Sequence, residues 1–181
     1  MSNLLDKLHN DHKNFIKLFR FIELQLQRIK DCEVVDFETV LVSITYMKDY
    51  SDAIHHPLEN IIFKYFLDHY DIHHDPIIRL MNEHDDMPLL TERLIDMLQC
   101  VVSDMPIKRD EFCDSLSEYI DIQKSHMNFE ESDVYPILYA TLNEIDWMAL
   151  SDELNNAHDP LFDTPKSESY KLLLNMVTAA I

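Results

Sequence analysis

Four stretches of this chain carry apolar residues at three-four spacing, and each seam is interrupted by polar residues. In the first, Leu5, Leu8, Phe15, Phe19, Ile22 and Leu26 form a seam in which His12 stands where a Leu would fit. Ser2 or Asn3 is placed to cap its start. The second seam passes through Leu41, Ile44, Met47 or Lys48, Ser51, His55, Glu59, Ile62 and Phe66, and predicts a helix over about 37–68. Its middle is polar, which a purely structural helix avoids. Pro57 removes the backbone bond to the Ala53 carbonyl, so a bend is expected there, and the periodicity continues beyond it. Asp75-Pro76 reads as an N-cap followed by the first helical residue. The third seam is Ile77, Leu80 or Met81, His84, Met87, Thr91, Leu94 or Ile95, Leu98 and Val102, with Pro88 as a second bend. The fourth is Phe112, Leu116, Tyr119, Gln123, His126, Glu130, Val134 or Asp133, and Ile137, with Pro136 marking a bend or an early end.

Four helices of similar length with connections at 31–36, 68–75 and 103–109 predict an all-α, up-down-up-down antiparallel four-helix bundle over residues 1–143. Residues 144–181 predict a C-terminal helical extension packed on the same domain, with helices over 145–157 and 166–180. That extension also offers a surface for a homodimer.

Composition narrows the picture. The chain contains no glycine, which argues against hairpin-rich folds and phosphate-cradling loops. No apolar run approaches the length of a membrane span, and the start carries charge without an apolar leader segment, so a cytoplasmic protein is expected. A formal charge of -19 repels nucleic acid and anionic membranes. Cys32, Cys100 and Cys113 are odd in number and widely spaced, which fits free thiols rather than a disulfide framework or a thiolate metal site.

Residues four apart on a helix project in nearly the same direction, so His55 with Glu59, and His126 with Glu130, can each serve one centre. His56 lies about 100° round from His55, still near the inward sector. Burying these groups unpaired costs several kcal/mol. A cation at the level where the four seams turn polar satisfies them together; a buried hydrogen-bonded network or a water-filled centre is the alternative. Nitrogen and oxygen donors without thiolate suit Fe, Mn, Zn or Cu. Five histidines, two bridging glutamates and a bridging hydroxide supply about eleven of the twelve bonds of two octahedral ions, leaving about one position for a small ligand. No Glu is followed three residues later by His, which excludes the ferritin-like pattern.

Leu8-His9-Asn10-Asp11-His12, His55-His56-Pro57-Leu58-Glu59-Asn60, Glu83-His84-Asp85 and His126-Met127-Asn128-Phe129-Glu130-Glu131 with Tyr135-Pro136 follow one another in an order that resembles the hemerythrin-like, or HHE cation-binding, family of bacterial type. Asp159-Pro160-Leu161-Phe162 is similar to the tail of bacterial members. The resemblance implies a four-helix bundle around a non-haem centre of two Fe ions with an oxo or hydroxo bridge. It implies His12, His55, His84 and His126 as terminal ligands and Glu59 and Glu130 as bridging carboxylates. The chain departs from oxygen-carrying members at Leu80, four residues before His84, where a second histidine is expected. His56 is the expected replacement, with His9 as its competitor. His69, His73 and His74 read as solvated, and His158 as a group that docks the tail. Tyr46, Tyr50 and Tyr135 read as core, with lining of the metal pocket as the alternative.

The function implied is binding or sensing of a small oxidant, O2 or NO. The alternatives are a di-iron enzyme acting on peroxide or nitric oxide, an iron-repair protein, and a structural helical module. Replacing His56 with Ala is expected to lower iron to fewer than two ions per chain, measured by metal analysis of the purified variant; an unchanged content removes His56 from the set.

Overall fold

The apolar seams fold as helices with their stripes turned inward. The structure is a computed structural model that describes residues 3–154 and 158–180. Helix α1 (Asn3–Lys30) buries Leu5, Leu8, Phe15, Phe19, Ile22 and Leu26 along one stripe, with His12 among them. Asn3 is already helical, and Ser2 lies outside the described residues. The second long helix runs unbroken as α2 (Phe37–Tyr46), the π-helical segment π1 (Met47–His55) and α3 (His56–His69). Asp36 caps its start, its carboxylate accepting from the backbone of Glu38 and Thr39. Helix α4 (His74–Val102) is the third. The fourth comprises α5 (Arg109–Phe129), the π-helical segment π2 (Glu130–Val134) and α6 (Tyr135–Thr141).

These four rods form the antiparallel bundle. α1 packs against α2 and α5, and α4 against α2, α3 and α5. No strand occurs among the described residues, and no helix there is long and apolar enough to cross a membrane.

Two of the three prolines expected to bend their helices follow widened turns. Pro57 and Pro136 each sit just after a π-helical segment, where His56 N–H bonds to Ser51 O and Tyr135 N–H to Glu130 O, five residues back. A proline ring collides with the carbonyl four residues before it. For Pro57 that carbonyl is Ala53's and for Pro136 it is Ser132's, and both lie inside the widened turns. Pro88 stays within continuous α-helix. The expected cap at Asp75 is also corrected. α4 begins at His74, and its N-cap is His73 in the left-handed region at φ 54°. Asp75 then falls in the first turn, where a negative charge favours the helix dipole, and Pro76 falls among N–H groups that have no partner within the helix.

With no glycine available, helix ends use other residues at positive φ. Cys32 (φ 61°) and Asp104 (φ 56°) close α1 and α4. Glu33 N–H bonds to Arg28 O and Cys32 N–H to Ile29 O, and Met105 and Asp104 repeat the pattern on Cys100 and Val101.

The core divides into two apolar clusters. One holds Phe15, Phe19, Ile44, Leu98 and Leu116; the other holds Leu8, Ile62, Phe63, Phe66, Leu80 and Leu138. The polar residues of the four seams lie between them. The C-terminal helices join different clusters. α7 (Glu144–Leu154) packs on α3, where Asp146 accepts from the hydroxyls of Tyr65 (2.8 Å) and Tyr70 (2.6 Å). The end of the expected 145–157 helix, at 155–157, lies outside the described residues. α8 (Glu168–Ala179) is capped by Ser167 and buries Leu173 and Val177 against α1 and α2. Between α7 and α8, the buried Asp159 carboxylate accepts from the backbone of Leu161 (2.8 Å) and Phe162 (2.9 Å) and from the Tyr46 hydroxyl (3.0 Å). Removing it strands three donors. Asp159→Ala is expected to lower unfolding stability by about 1–3 kcal/mol, measured by urea titration, with the tail turn losing hydrogen-exchange protection first.

Candidate metal centre

All seven singled-out residues are buried, and they meet between the two apolar clusters. His12 Nε2 lies 3.0 Å from His55 Nε2, and His84 Nε2 lies 2.9 Å from His126 Nε2. Two nitrogens held at right angles by one ion, each about 2.0–2.1 Å from it, stand about 3.0 Å apart. Each pair thus has the spacing of neighbouring donors on a common ion.

The two carboxylates span the pairs. Glu130 lies 3.3 Å from His12, 3.3 Å from His84 and 3.0 Å from His126. Glu59 lies 3.5 Å from both His55 and His84, and 3.9 Å from His12. Neither carboxylate is exposed at all, and one oxygen of each accepts no hydrogen bond. Donor atoms of His12, His55 and Glu59 lie within 4.8 Å of one another, as do those of His56, Glu59, His84 and His126. Glu59 belongs to both groups. This donor set of nitrogen and oxygen fits a metal site.

The outward nitrogen of each of four histidines is held by a partner on the neighbouring helix. Asp11 of α1 holds His55 Nδ1 at 3.2 Å. Asn60 of α3 holds His84 Nδ1 at 2.8 Å. Glu83 of α4 holds His126 Nδ1 at 2.8 Å, and Glu131 of π2 holds His12 Nδ1 at 2.8 Å. Each partner sits directly beside a residue of the centre on its own helix, so the four links close a ring around the bundle. Such contacts fix the imidazole orientation and raise its basicity toward a metal. Glu83 and Glu131 are half-buried links in this ring. Asp11 and Asn60 were visible only as neighbours of His12 and Glu59, because each serves a helix other than its own.

His56 stands outside the ring. It enters the group with Glu59, His84 and His126, while Leu80 is core. Its imidazole stacks on His84 (4.3 Å between ring centres), its Nε2 faces the Ser51 hydroxyl at 3.2 Å, and its Nδ1 has no partner. His9 is exposed and reaches only Glu131. His69, His73 and His158 are exposed and His74 is half-buried, all apart from the centre. Tyr135 is more than core: it stacks on His12, and its hydroxyl donates to Glu59. Tyr50 donates to Asp11 at 3.1 Å, and Lys7 donates to both.

Burial works against charge throughout the centre, and the neighbours decide where charge survives. Burial, and next the Glu130 charge, push the Glu59 carboxyl well above the usual carboxylate range. Burial also opposes ionisation of Glu130, but His126, His12 and His84 outweigh it and hold this carboxyl well below that range. Burial, then His12 for one and His84 for the other, keep His55 and His56 well below the usual imidazole value. For His12 the adjacent Glu130 carboxylate and the hydrogen bond to Glu131 overcome burial and raise it to about 10. For His126 the charge of Glu130 and the hydrogen bonds to Glu130 and Glu83 overcome burial and raise it to about 9. Beside the centre, burial pushes Asp52 up to about 6. The chain without cations therefore keeps protons where a cation would replace them.

No curated protein and no solved structure matches the chain. A sequence model described as the hemerythrin HHE cation binding domain matches residues 3–138, which contain all seven residues and all four ring partners. The chain belongs to the hemerythrin HHE cation-binding domain family.

Proposed function

We propose that this chain binds two iron ions at the centre and takes up a small oxidant there, O2 or NO, reversibly. The observation that carries the reading is the pair of buried glutamates, each spanning both imidazole pairs. Iron held there would supply a reversible change of oxidation state and an open position for the oxidant. The chain supplies the rest. His12, His55, His84 and His126 aim Nε2 inward because Nδ1 is engaged outward. Tyr135 orients Glu59 by donating to it. Phe15 and Phe63 close over His55 and His84 and keep water out.

Cation binding must displace the protons on His12 and His126. With pKa values of about 10 and about 9, both are charged at pH 7. Loading at pH 7 is therefore expected to release about two protons from these histidines, with more from Glu59. Apparent affinity should fall as pH falls and level off above about pH 10, where both imidazoles are already neutral. Calorimetry in buffers of different ionisation enthalpy measures the release; a proton count of zero contradicts the assignment.

The oxidant reading is tested on reduced, iron-loaded protein. Air should produce a visible absorption that disappears on degassing and returns with oxygen. Loss of the oxidant through many turnovers per site would instead identify an enzyme, and no response in a chain with full metal would overturn the reading.

A further inference from the structure

The basic residues of this acidic chain are not spread evenly. Of its 15 Lys and Arg and 34 Asp and Glu, α1 carries six basic residues (Lys7, Lys13, Lys17, Arg20, Arg28 and Lys30) and three acidic ones (Asp6, Asp11 and Glu23), which leaves nine and 31 for the rest. Between α1 and α5 runs an open groove of about 520 Å³, walled by Lys13, Ile16, Arg20, Lys124 and Met127. At one end it reaches His12 and Glu131, a link of the ring around the centre. The metal centre makes no use of the rest of it.

The carboxylates of the groove are already committed. Glu131 is engaged by His9 and His12, each at 2.8 Å, and Glu23 accepts from Lys124 at 2.5 Å. Lys13 and Arg20 have no ion-pair or hydrogen-bond partner among the described residues. They stand seven residues apart on one face of α1, two turns or about 10 Å along its axis. Ile16 lies between them, 38% exposed, and Met127 of α5 adds a second apolar wall. A ligand that matches this order carries an anionic group at each end and an apolar middle. Phosphate matches poorly, because both walls lie inside helices whose backbone N–H groups are spent within the helix. Nucleic acid is repelled by the acidic surplus of the rest of the chain. The volume is that of a small-molecule pocket, which spans about 300–1,000 Å³.

We propose that the groove between α1 and α5 binds a small organic dicarboxylate with an apolar middle, Lys13 taking one carboxylate and Arg20 the other. Ile16 and Met127 cover the carbon chain between them. With the two cations about 10 Å apart along the axis and an ion-pair contact of about 3 Å at each end, the carboxylates of the ligand stand about 5–10 Å apart. The site goes beyond the metal reading and does not depend on it.

The test is calorimetric titration of the full chain with suberate, an eight-carbon dicarboxylate, and with octanoate, its monocarboxylate counterpart. Metal content is measured in every sample, and metal-free and metal-loaded protein are both titrated. Suberate should bind about fivefold more tightly than octanoate, the worth of one exposed ion pair. Lys13→Gln and Arg20→Gln should each weaken suberate binding about fivefold, and the double variant about twenty-fivefold, since sites this far apart add. All three positions are exposed, so the variants fold as the parent does. Lys64→Gln removes an exposed cation outside the groove and should leave suberate affinity within about twofold. A parent chain that does not bind suberate overturns the proposal, as does equal affinity for octanoate. So does unchanged affinity in both groove variants, or a loss in Lys64→Gln equal to theirs, which would show attraction to charge without a site. Binding of suberate by a chain that takes up no metal supports the groove and overturns the metal reading alone.

Discussion

Two carboxylates and five imidazoles held away from water in the middle of a helical bundle set the terms for the rest of this structure. Left unmatched, they would cost more than the modest net stability of an ordinary domain provides. Everything nearby reduces that cost. The two apolar clusters keep solvent out above and below. Four partners hold the histidines from behind, and Glu130 stays ionised because three imidazoles face it. What stays unmatched, an oxygen of each buried glutamate, is what a cation would complete.

The backbone is adapted to the same end. π1 and π2 both adjoin the centre: one ends at His55 and the other begins at Glu130. A widened turn shifts the side chains that follow it relative to an α-helix. It also makes room for the proline that comes next. The same device brings Ser51 under His56, five residues on, so the histidine outside the ring is positioned by its own helix as well as by its stack on His84.

Much of this was legible in the sequence, for physical reasons that differ between parts. The four seams were visible because burial imposes a period of 3.6, and His12, His55, His84 and His126 stood out as polar breaks in that period. The π-helical segments were not visible. No residue type marks a widened turn, and Pro57 and Pro136 are equally compatible with a bend. The start of α4 was misplaced because the strong local signal of Asp75-Pro76 yielded to a chain reversal at His73, which no glycine marked. The ring partners were hidden for a geometric reason. Asp11, Asn60, Glu83 and Glu131 each act across to another helix, and no spacing within one helix reports that.

The ring of partners has a mechanical consequence. Apolar clusters tolerate sliding, since one Leu replaces another at little cost when a helix advances by a turn. The ring does not. Each helix contributes one imidazole and one partner, so moving any helix along its axis breaks two links together, one on either side. The centre therefore acts as a register pin: it fixes the vertical alignment of four rods that their greasy surfaces alone would leave free to slip.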